Sequence, residues 1–528
     1  MSTKVNVILQ ARTGSKRLYG KSVIPVINEP LVVLCNKRLK DSNLKVTTII
    51  PKGKEDNYLA YILKKNKLNF FRGNKFNVLD RFKKFTKKFK DSDIIVRVTA
   101  DNPFVDGKFL NKLITIFKLK NLEYLSASDN IKNLPYGIQA EIFRVKHLRD
   151  TFSKNKYVLE HVTPDIKKKY LDKKLKLYLK NYSGISKLRL SIDTFEDLER
   201  VQKIFNNYSG GQYLDLKKII KNKKKIKRKN LEKISKVVLG TVQLGKKYFE
   251  KNVSITQGRA DKILKTALKK KINYFDTAHD YGNAEKFIGN FKKKNKQNIF
   301  ICSKLKNLKL DRSSKIDDVI NKVNFSIFQS LNKLNCSKLE NFLIHNPQDL
   351  FRSKKLYDHI IKFLNCGIIK SLGVSIYSPN ELKKIKKYKK ISCVQLPFNL
   401  IDYRWVKILN KKNNKLKVFA RSIFLRGNLK KNKITFPYKN KKLDILNNQL
   451  KKFCYEFDKK NFFELTFSYL KSFLGINYFV IGAQKSSHID EFEDISKVKQ
   501  LNNNQKQKII RMMQANFDVR RSDLRNWN

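Results

Sequence analysis

From residue 4 to about 205 the chain alternates short apolar runs with stretches of helical period. VNVILQ, KVTTIIP, DIIVRVTAD and LEYLSASD read as strands, because each is a short β-branched-rich apolar run bounded by polar residues. DRFKKFTKKF spaces its aromatic residues as an amphipathic helix does. This alternation predicts an α/β layer built on a largely parallel sheet. A second series begins after residue 236. Its apolar segments are VVLGT (237–241), NYFDT (273–277), IFICSK (299–304), NFLIH (341–345), SLGVS (371–375), CVQL (393–396), KVFARS (417–422) and YFVIG (478–482). Most gaps between them carry helix-period patterns. Eight strand–helix repeats in about 290 residues is the arithmetic of a (β/α)8 barrel, in which chemistry sits on the loops after the strands. A closing helix is expected around KIIRMMQANF.

Between the two series lies KIIKNKKKIKRKNLEK, with almost no apolar surface. It sets the expected organisation: a first domain at 1–215, a basic linker at 216–234 and a second domain at 235–528. A chain of this length is expected to hold two or three domains. With 41% hydrophobic and 11% aromatic residues, each half can bury a core.

Charge changes the picture less than its size suggests. The net charge is +71. One reading is a basic nucleic-acid-binding protein. The other is biased composition, since Lys far outnumbers Arg and Asn and Ile are also abundant. The cations are spread along the whole chain, no nucleic-acid motif occurs, and aromatic residues are not interleaved with a basic stripe. We therefore expect no specific nucleic-acid partner, but a positive field that draws in anionic substrates. Cys35, Cys302, Cys336, Cys366, Cys393 and Cys454 form no C-x-x-C pair and lie mostly in apolar runs, as buried reduced thiols of a cytoplasmic protein would. No stretch approaches the length of a membrane span, and the N-terminus lacks a signal-peptide core.

LQARTGSKRLYGK, residues 9–21, follows the first strand and is rich in Gly, Ser and cations. Glycines such as Gly14 let backbone N–H groups approach phosphate oxygens, and Arg12, Arg17 and Lys21 add charge. Taken alone, the run reads equally well as a solvated basic loop. RVTADNPFVD and LRLSIDTFEDLE then place Asp101 and Asp193 after apolar strands, where carboxylates can hold Mg²⁺ near a triphosphate. Singly, each is an ordinary helix cap; together they suit a clamp on a metal-bound nucleotide.

The segment resembles the opening of cytidylyltransferases of the spore-coat polysaccharide type, similar to enzymes that make CMP-linked acidic sugars. The likeness continues through NVLDRF, VRVTADNPFVD, YGIQAEIFR, LEHVTPDI and LRLSIDTFEDL. It implies a Rossmann-like nucleotidyltransferase sandwich that uses CTP and Mg²⁺, releases pyrophosphate and is commonly dimeric. It also implies that Arg12, Gly14, Ser15, Arg17, Lys21 and Arg97 bind the nucleotide, that Asp101 and Asp193 hold metal, and that Glu141 and His161 line the sugar side. Tyr19 departs from the pattern, standing where proline is usual.

In the second series, FDTAHDYG carries Asp276 and Tyr281, ICSK ends in Lys304 and FLIHNP supplies His345. All follow successive strands, and a barrel converges strand ends on one mouth. A carbonyl that accepts hydride needs a proton. A free tyrosine, with a pKa near ~10, is a poor acid until an ammonium stabilises its phenolate. Asp276 would fix Lys304, and His345 would orient the carbonyl oxygen. Each residue has a plain structural reading by itself: a loop aromatic, a solvated strand end, a core histidine.

The series resembles the aldo/keto reductases, whose Asp, Tyr, Lys, His tetrad occurs in this order. The likeness extends over LGTVQLG, AEKFIG, IIKSLGVSIYS, VQLPFNLID, FARSIFLRGNL and IGAQKSSHIDE. It implies NADPH, with Ser375 and Gln395 on the nicotinamide amide, Arg421 and Ser422 beside the nicotinamide ring, and Gly482, Lys485 and Ser487 at the adenosine phosphate end. Ile376, Arg421 and Phe249 depart from common family residues. The combined expectation is a bifunctional fusion for surface-glycan sugars: CMP activation of an acidic sugar plus NADPH-dependent carbonyl chemistry. A variant of it keeps the barrel as a non-catalytic scaffold.

Overall fold

The computed structural model describes residues 3–179, 188–207, 233–245, 255–295, 298–412, 415–430, 433–435 and 443–518. Apart from Lys233 and Ile234, the expected linker lies outside the described residues, as does Phe249. The chain forms two compact units. One is Met1–Asn230 with Lys315–Ser337 and Asn365–Ile368; the other is Leu231–Ser314, Lys338–Leu364 and Ile369–Asn528.

The first unit is built on a six-stranded sheet. Its strands are β1 (Val5–Gln10), β2 (Val46–Pro51), β3 (Phe70–Gly73), β4 (Ile94–Thr99), β5 (Tyr124–Ser126) and, after the two-residue β6 (Ile131–Lys132), β7 (Glu141–Arg144). The order is β3-β2-β1-β4-β7-β5, and β6 pairs separately with β8 (Leu177–Tyr178). β1 to β4 run parallel and β7 runs against both of its neighbours. β1, covered on both faces, is apolar almost throughout, which is why it reads as one hydrophobic run. Helices start where the sequence offers caps. The Asn77 side chain accepts from the Asp80 N–H ahead of Val78–Thr86, and Asp106 accepts from the Phe109 N–H ahead of Gly107–Leu119. A buried cluster including Ile8, Ile49, Phe82, Ile95 and Phe143 packs helix side chains onto one face of the sheet.

One expected strand is absent. LRLSID makes only an isolated bridge, Arg189 to Tyr136, although Leu190 and Ile192 are fully buried. Its inward side chains pack as a strand's would, but the backbone runs alongside residues 101 and 136 rather than joining the sheet: the Ile192 N–H donates to the Asp101 carbonyl at 2.9 Å.

The second unit is a closed barrel of eight parallel strands. They are β9 (Val237–Gly240), β10 (Tyr274–Asp276), β11 (Phe300–Lys304), β12 (Leu339–Ile344), β13 (Ile369–Ser375), β14 (Ile391–Pro397), β15 (Lys417–Arg421) and β16 (Tyr478–Gly482). Each of the eight apolar segments of the sequence supplies one strand. Val238, Tyr274, Cys302, Leu343, Cys393, Phe419 and Val480 fill the interior as a packed layer. The helix Asn503–Asn516 covers the expected closing segment and opens with a capping box between Asn502 and Gln505. All six cysteines are free thiols. Among the described residues no helix is long and apolar enough to cross a membrane.

Candidate active sites

In the first unit the chain leaves β1 toward β2 on one side and returns to β4 on the other, with Gln10 opposite Thr99. The loops after these neighbouring strands diverge, and such a switch point leaves a crevice for a ligand. The loop after β1 closes on itself: the Thr13 carbonyl accepts from both the Ser15 and Gly20 N–H groups at 2.9 Å. The Thr13 N–H donates to Asp56 Oδ1 at 2.7 Å. Gly20, at φ 71°, then turns the chain into the short helix Lys21–Val23.

That turn aims Lys21 into the crevice. Its Nζ donates to Asp101 Oδ2 at 2.7 Å, to the Ile192 carbonyl at 2.9 Å and to Asp193 Oδ1 at 3.3 Å. Arg17 pairs with Asp193 at 3.0 Å. Burial pushes the Asp101 carboxyl up, but the Lys21 ammonium and the Thr99 hydroxyl outweigh it and hold it below the ordinary range. Arg12 is half exposed and pairs with Glu160 at 2.9 Å, while Gly14 and Ser15 lie half-buried along the loop.

Arg97, on β4, belongs to a second cluster. Its Nε and Nη2 donate to Gln10 Oε1 at 3.2 and 3.0 Å, and Nη1 donates to Glu141. The other Glu141 oxygen accepts from the Tyr124 and Thr163 hydroxyls, both at 2.7 Å. Burial raises the Glu141 carboxyl, and these donors, Arg97 foremost, bring it below its usual value. Both of its oxygens are thus engaged by the protein. His161 is exposed with its ring 4.4 Å from that of Tyr157, and it does not join Glu141. The Thr163 N–H donates to the His161 carbonyl at 2.9 Å across Val162, which sits at φ 72° and ψ −52°. This is a γ-turn that a β-branched residue tolerates only under strain, and it presents the Thr163 hydroxyl to Glu141.

In the second unit three strand ends meet, bringing four side chains together. Lys304 closes β11, and its Nζ donates to both Asp276 oxygens (2.8 and 2.7 Å) and to the Thr277 carbonyl (3.0 Å). Both side chains are almost wholly buried. The same ammonium stands 4.9 Å from the centroid of the Tyr281 ring. The Tyr281 ring meets His345 edge-on at 5.9 Å. The loop bearing Tyr281 packs so tightly that a Cβ on Gly245 would fall 1.6 Å from the Tyr281 carbonyl oxygen.

The electrostatics follow from burial. It lowers the Lys304 pKa, but Asp276 raises it further, so Lys304 stays charged. Burial pushes Tyr281 up and Lys304 pulls it down; burial wins and the phenol is above its ordinary value. Burial likewise lowers His345 and keeps its ring neutral.

Ser375 closes β13 opposite Gln395 of β14, and both are buried. Gln395 Nε2 is committed to Asp276 Oδ1 at 2.8 Å. Arg421 closes β15 with its guanidinium 4.3 Å from the Tyr377 ring centroid and Nη1 3.4 Å from Ser422 Oγ. Gly482 closes β16. Lys485 and Ser487 are exposed at the start of the helix Ser487–Lys497.

Two family models match this chain. The cytidylyltransferase model spans residues 6–255 and the aldo/keto reductase model spans 236–513. The spore coat polysaccharide biosynthesis protein SpsF of Bacillus subtilis is 30% identical, over 38% of this chain and 85% of its own length. The chain belongs to both families. It is a cytidylyltransferase fused to an aldo/keto reductase. An uncharacterized protein of Methanocaldococcus jannaschii is 35% identical to the cytidylyltransferase half, over 38% of this chain and 85% of that protein. A solved aldo-keto reductase from Bacillus halodurans is 18% identical, covering 54% of this chain and 93% of that one, with a TM-score of 0.44.

Sequence reasoning missed one residue at the reductase site. Asp280 Oδ2 lies 3.7 Å from His345 Nδ1 and accepts from the Asn307 N–H at 3.0 Å. No sequence signal pointed to this tertiary contact. In the cytidylyltransferase half the missed residues are Gln10, Tyr124 and Thr163, which hold the Arg97–Glu141 pair.

Proposed function

We propose that the chain carries two working active sites: one transfers CMP from CTP to an acidic sugar with release of pyrophosphate, the other reduces a carbonyl of a sugar intermediate with NADPH. The observation that carries this reading is the gathering of Asp276, Tyr281, Lys304 and His345 at one barrel mouth, with Lys304 buried between the carboxylate and the phenol. The sugar setting is supported by the likeness to SpsF. Surface-glycan precursors are the substrate class this implies, and the cytoplasm is the compartment it calls for.

In the cytidylyltransferase, Arg12, Gly14, Ser15, Arg17, Lys21 and Arg97 bind the nucleotide. Asp101 and Asp193 offer hard oxygen donors that already share one cation, the Lys21 ammonium. Among the described residues no group of three or more acidic, His or Cys side chains gathers as a metal site. Two carboxylates completed by phosphate oxygens and water suit Mg²⁺, which would neutralise the triphosphate when bound. Glu141 acts through Arg97, fixing its guanidinium, and His161 lies at the exposed rim on the sugar side.

In the reductase, NADPH supplies the hydride when bound. Ser375, Gln395, Arg421 and Ser422 face the nicotinamide end, and Gly482, Lys485 and Ser487 the phosphate end. Gln243 Oε1 is buried without a partner, and a Cβ on Gly482 would lie 2.4 Å from the Gln243 amide nitrogen, so this amide packs directly against the strand end. Tyr281, protonated at neutral pH, gives its proton to the carbonyl oxygen as the alkoxide forms; Lys304 stabilises the phenolate left behind. Neutral His345 orients the carbonyl. To test both halves, the protein is incubated with CTP, Mg²⁺ and a panel of 2-keto sugar acids while pyrophosphate is followed, and with NADPH and aldehydes while absorbance is followed. Turnover in both supports the reading; no pyrophosphate with any acceptor, or no NADPH consumption with any aldehyde, removes the corresponding half.

A further inference from the structure

Among the described residues, the reductase mouth holds a half-buried cation, Arg421, that no carboxylate balances. Lys304 has Asp276 as its counter-ion, and Arg404 has Asp402, at 2.8 and 2.5 Å. Arg421 has neither. One face of its guanidinium rests on Tyr377, and Nη1 reaches only the neutral Ser422 hydroxyl. Its Nη2 is buried and makes no hydrogen bond, and no carboxylate among the described residues pairs with it. A guanidinium cannot shed its proton, and one partly withdrawn from water without a counter-ion favours an anionic ligand.

We propose that the carbonyl substrate of the reductase bears an anionic group, a carboxylate or a phosphate, and that Arg421 receives it. This rests on the carbonyl-reduction reading above and narrows its substrate class. The placement fits: Arg421 ends β15 on the same barrel rim that presents Tyr281 and His345. Its charge reaches both, lowering the pKa of each. An anion docked on the open edge of the guanidinium would hold the substrate by one end while its carbonyl lies at the proton donor. Charge-assisted hydrogen bonds to a preformed guanidinium are strong and directional, and the net charge of +71 concentrates anions around the whole molecule.

The test compares matched aldehydes with the full chain and NADPH: D-glucuronate against D-glucose, and glyceraldehyde 3-phosphate against glyceraldehyde. The wild type is expected to prefer the charged member of at least one pair by about 30-fold in kcat/KM, and the preferred pair identifies carboxylate or phosphate. In Arg421→Gln that ratio falls to about 1, and Arg421→Lys restores part of it. In parallel, D-glucuronate and inorganic phosphate are titrated calorimetrically into the NADP⁺-bound protein; one binds the wild type and fails to bind Arg421→Gln. Equal use of charged and neutral aldehydes by the wild type overturns the proposal. So does a Gln variant that weakens NADP⁺ binding and slows both members of a pair alike, since Arg421 then serves the cofactor. If no aldehyde consumes NADPH, the carbonyl-reduction reading fails, and the calorimetry still decides whether Arg421 receives an anion.

Discussion

Lys304 donates to both carboxylate oxygens of Asp276, at 2.8 and 2.7 Å, with almost no solvent around either side chain. Removing one partner strands the other as a buried charge. Asp276→Asn is therefore expected to destabilise the barrel by about 3–5 kcal/mol, and Asp276→Asn with Lys304→Met by less than the sum of the single changes. Chemical denaturation of the three variants measures this. The Lys304 pKa is raised on folding, so its contribution is complete below the unfolded value of about 10 and is lost only as pH rises through the folded one.

Tyr281 carries the proton that the reduction needs, and burial outweighs Lys304 in setting its pKa. The kcat/KM for reduction is expected to be level through neutral pH and to fall only above about pH 10. Tyr281→Phe should cut NADPH oxidation by about 10²–10⁴-fold while leaving NADP⁺ affinity within a small factor. Steady-state kinetics and a binding titration separate the two quantities.

Asp280 stands beside His345 and His279. Burial raises its carboxyl, but the histidines and the Asn307 N–H lower it further, and it ends well below the usual range. A carboxyl depressed on folding stabilises above its unfolded pKa of about 4, and that gain drains away as pH falls toward the folded value. Unfolding free energy should therefore drop less steeply between pH 5 and pH 2 in Asp280→Asn than in the wild type. In the same variant the His345 titration, followed by NMR, should move to lower pH, because a negative charge that favoured the imidazolium is gone.

In the cytidylyltransferase, Glu141 is expected to act by holding Arg97. Glu141→Gln should raise the KM for CTP about tenfold and cost about 1–3 kcal/mol of stability, because Arg97 loses its charged partner. Thr163→Val should shift both quantities the same way by less, since it removes one of several donors to the carboxylate. Initial rates of pyrophosphate release and thermal melts check both.

Much of this was legible in the chain. The eight barrel strands are buried on both sides and so appear as contiguous apolar runs, and Asp276, Lys304 and His345 sit at or just past their C-terminal ends. The meeting of Lys21, Asp101 and Asp193 was also expected, though Asp193 arrives by another route. LRLSID has the right side chains for a strand, and only its backbone partners, which are tertiary, decide otherwise. The engagement of Glu141 by three protein donors was beyond reach for the same reason: Tyr124, Thr163 and Arg97 come from separate parts of the chain. The position of Asp280 next to Tyr281 says nothing of its approach to His345, because that depends on how the loops after β10 and β12 fold over the mouth.

The central claim is that one chain carries two independent active sites, and a reciprocal knockout tests it most directly. Pyrophosphate release from CTP and oxidation of NADPH are measured on Asp101→Ala and Tyr281→Phe. The account predicts that Asp101→Ala loses the first reaction and keeps the second, and that Tyr281→Phe does the opposite. Loss of both reactions in either variant, or of neither in both, would contradict it.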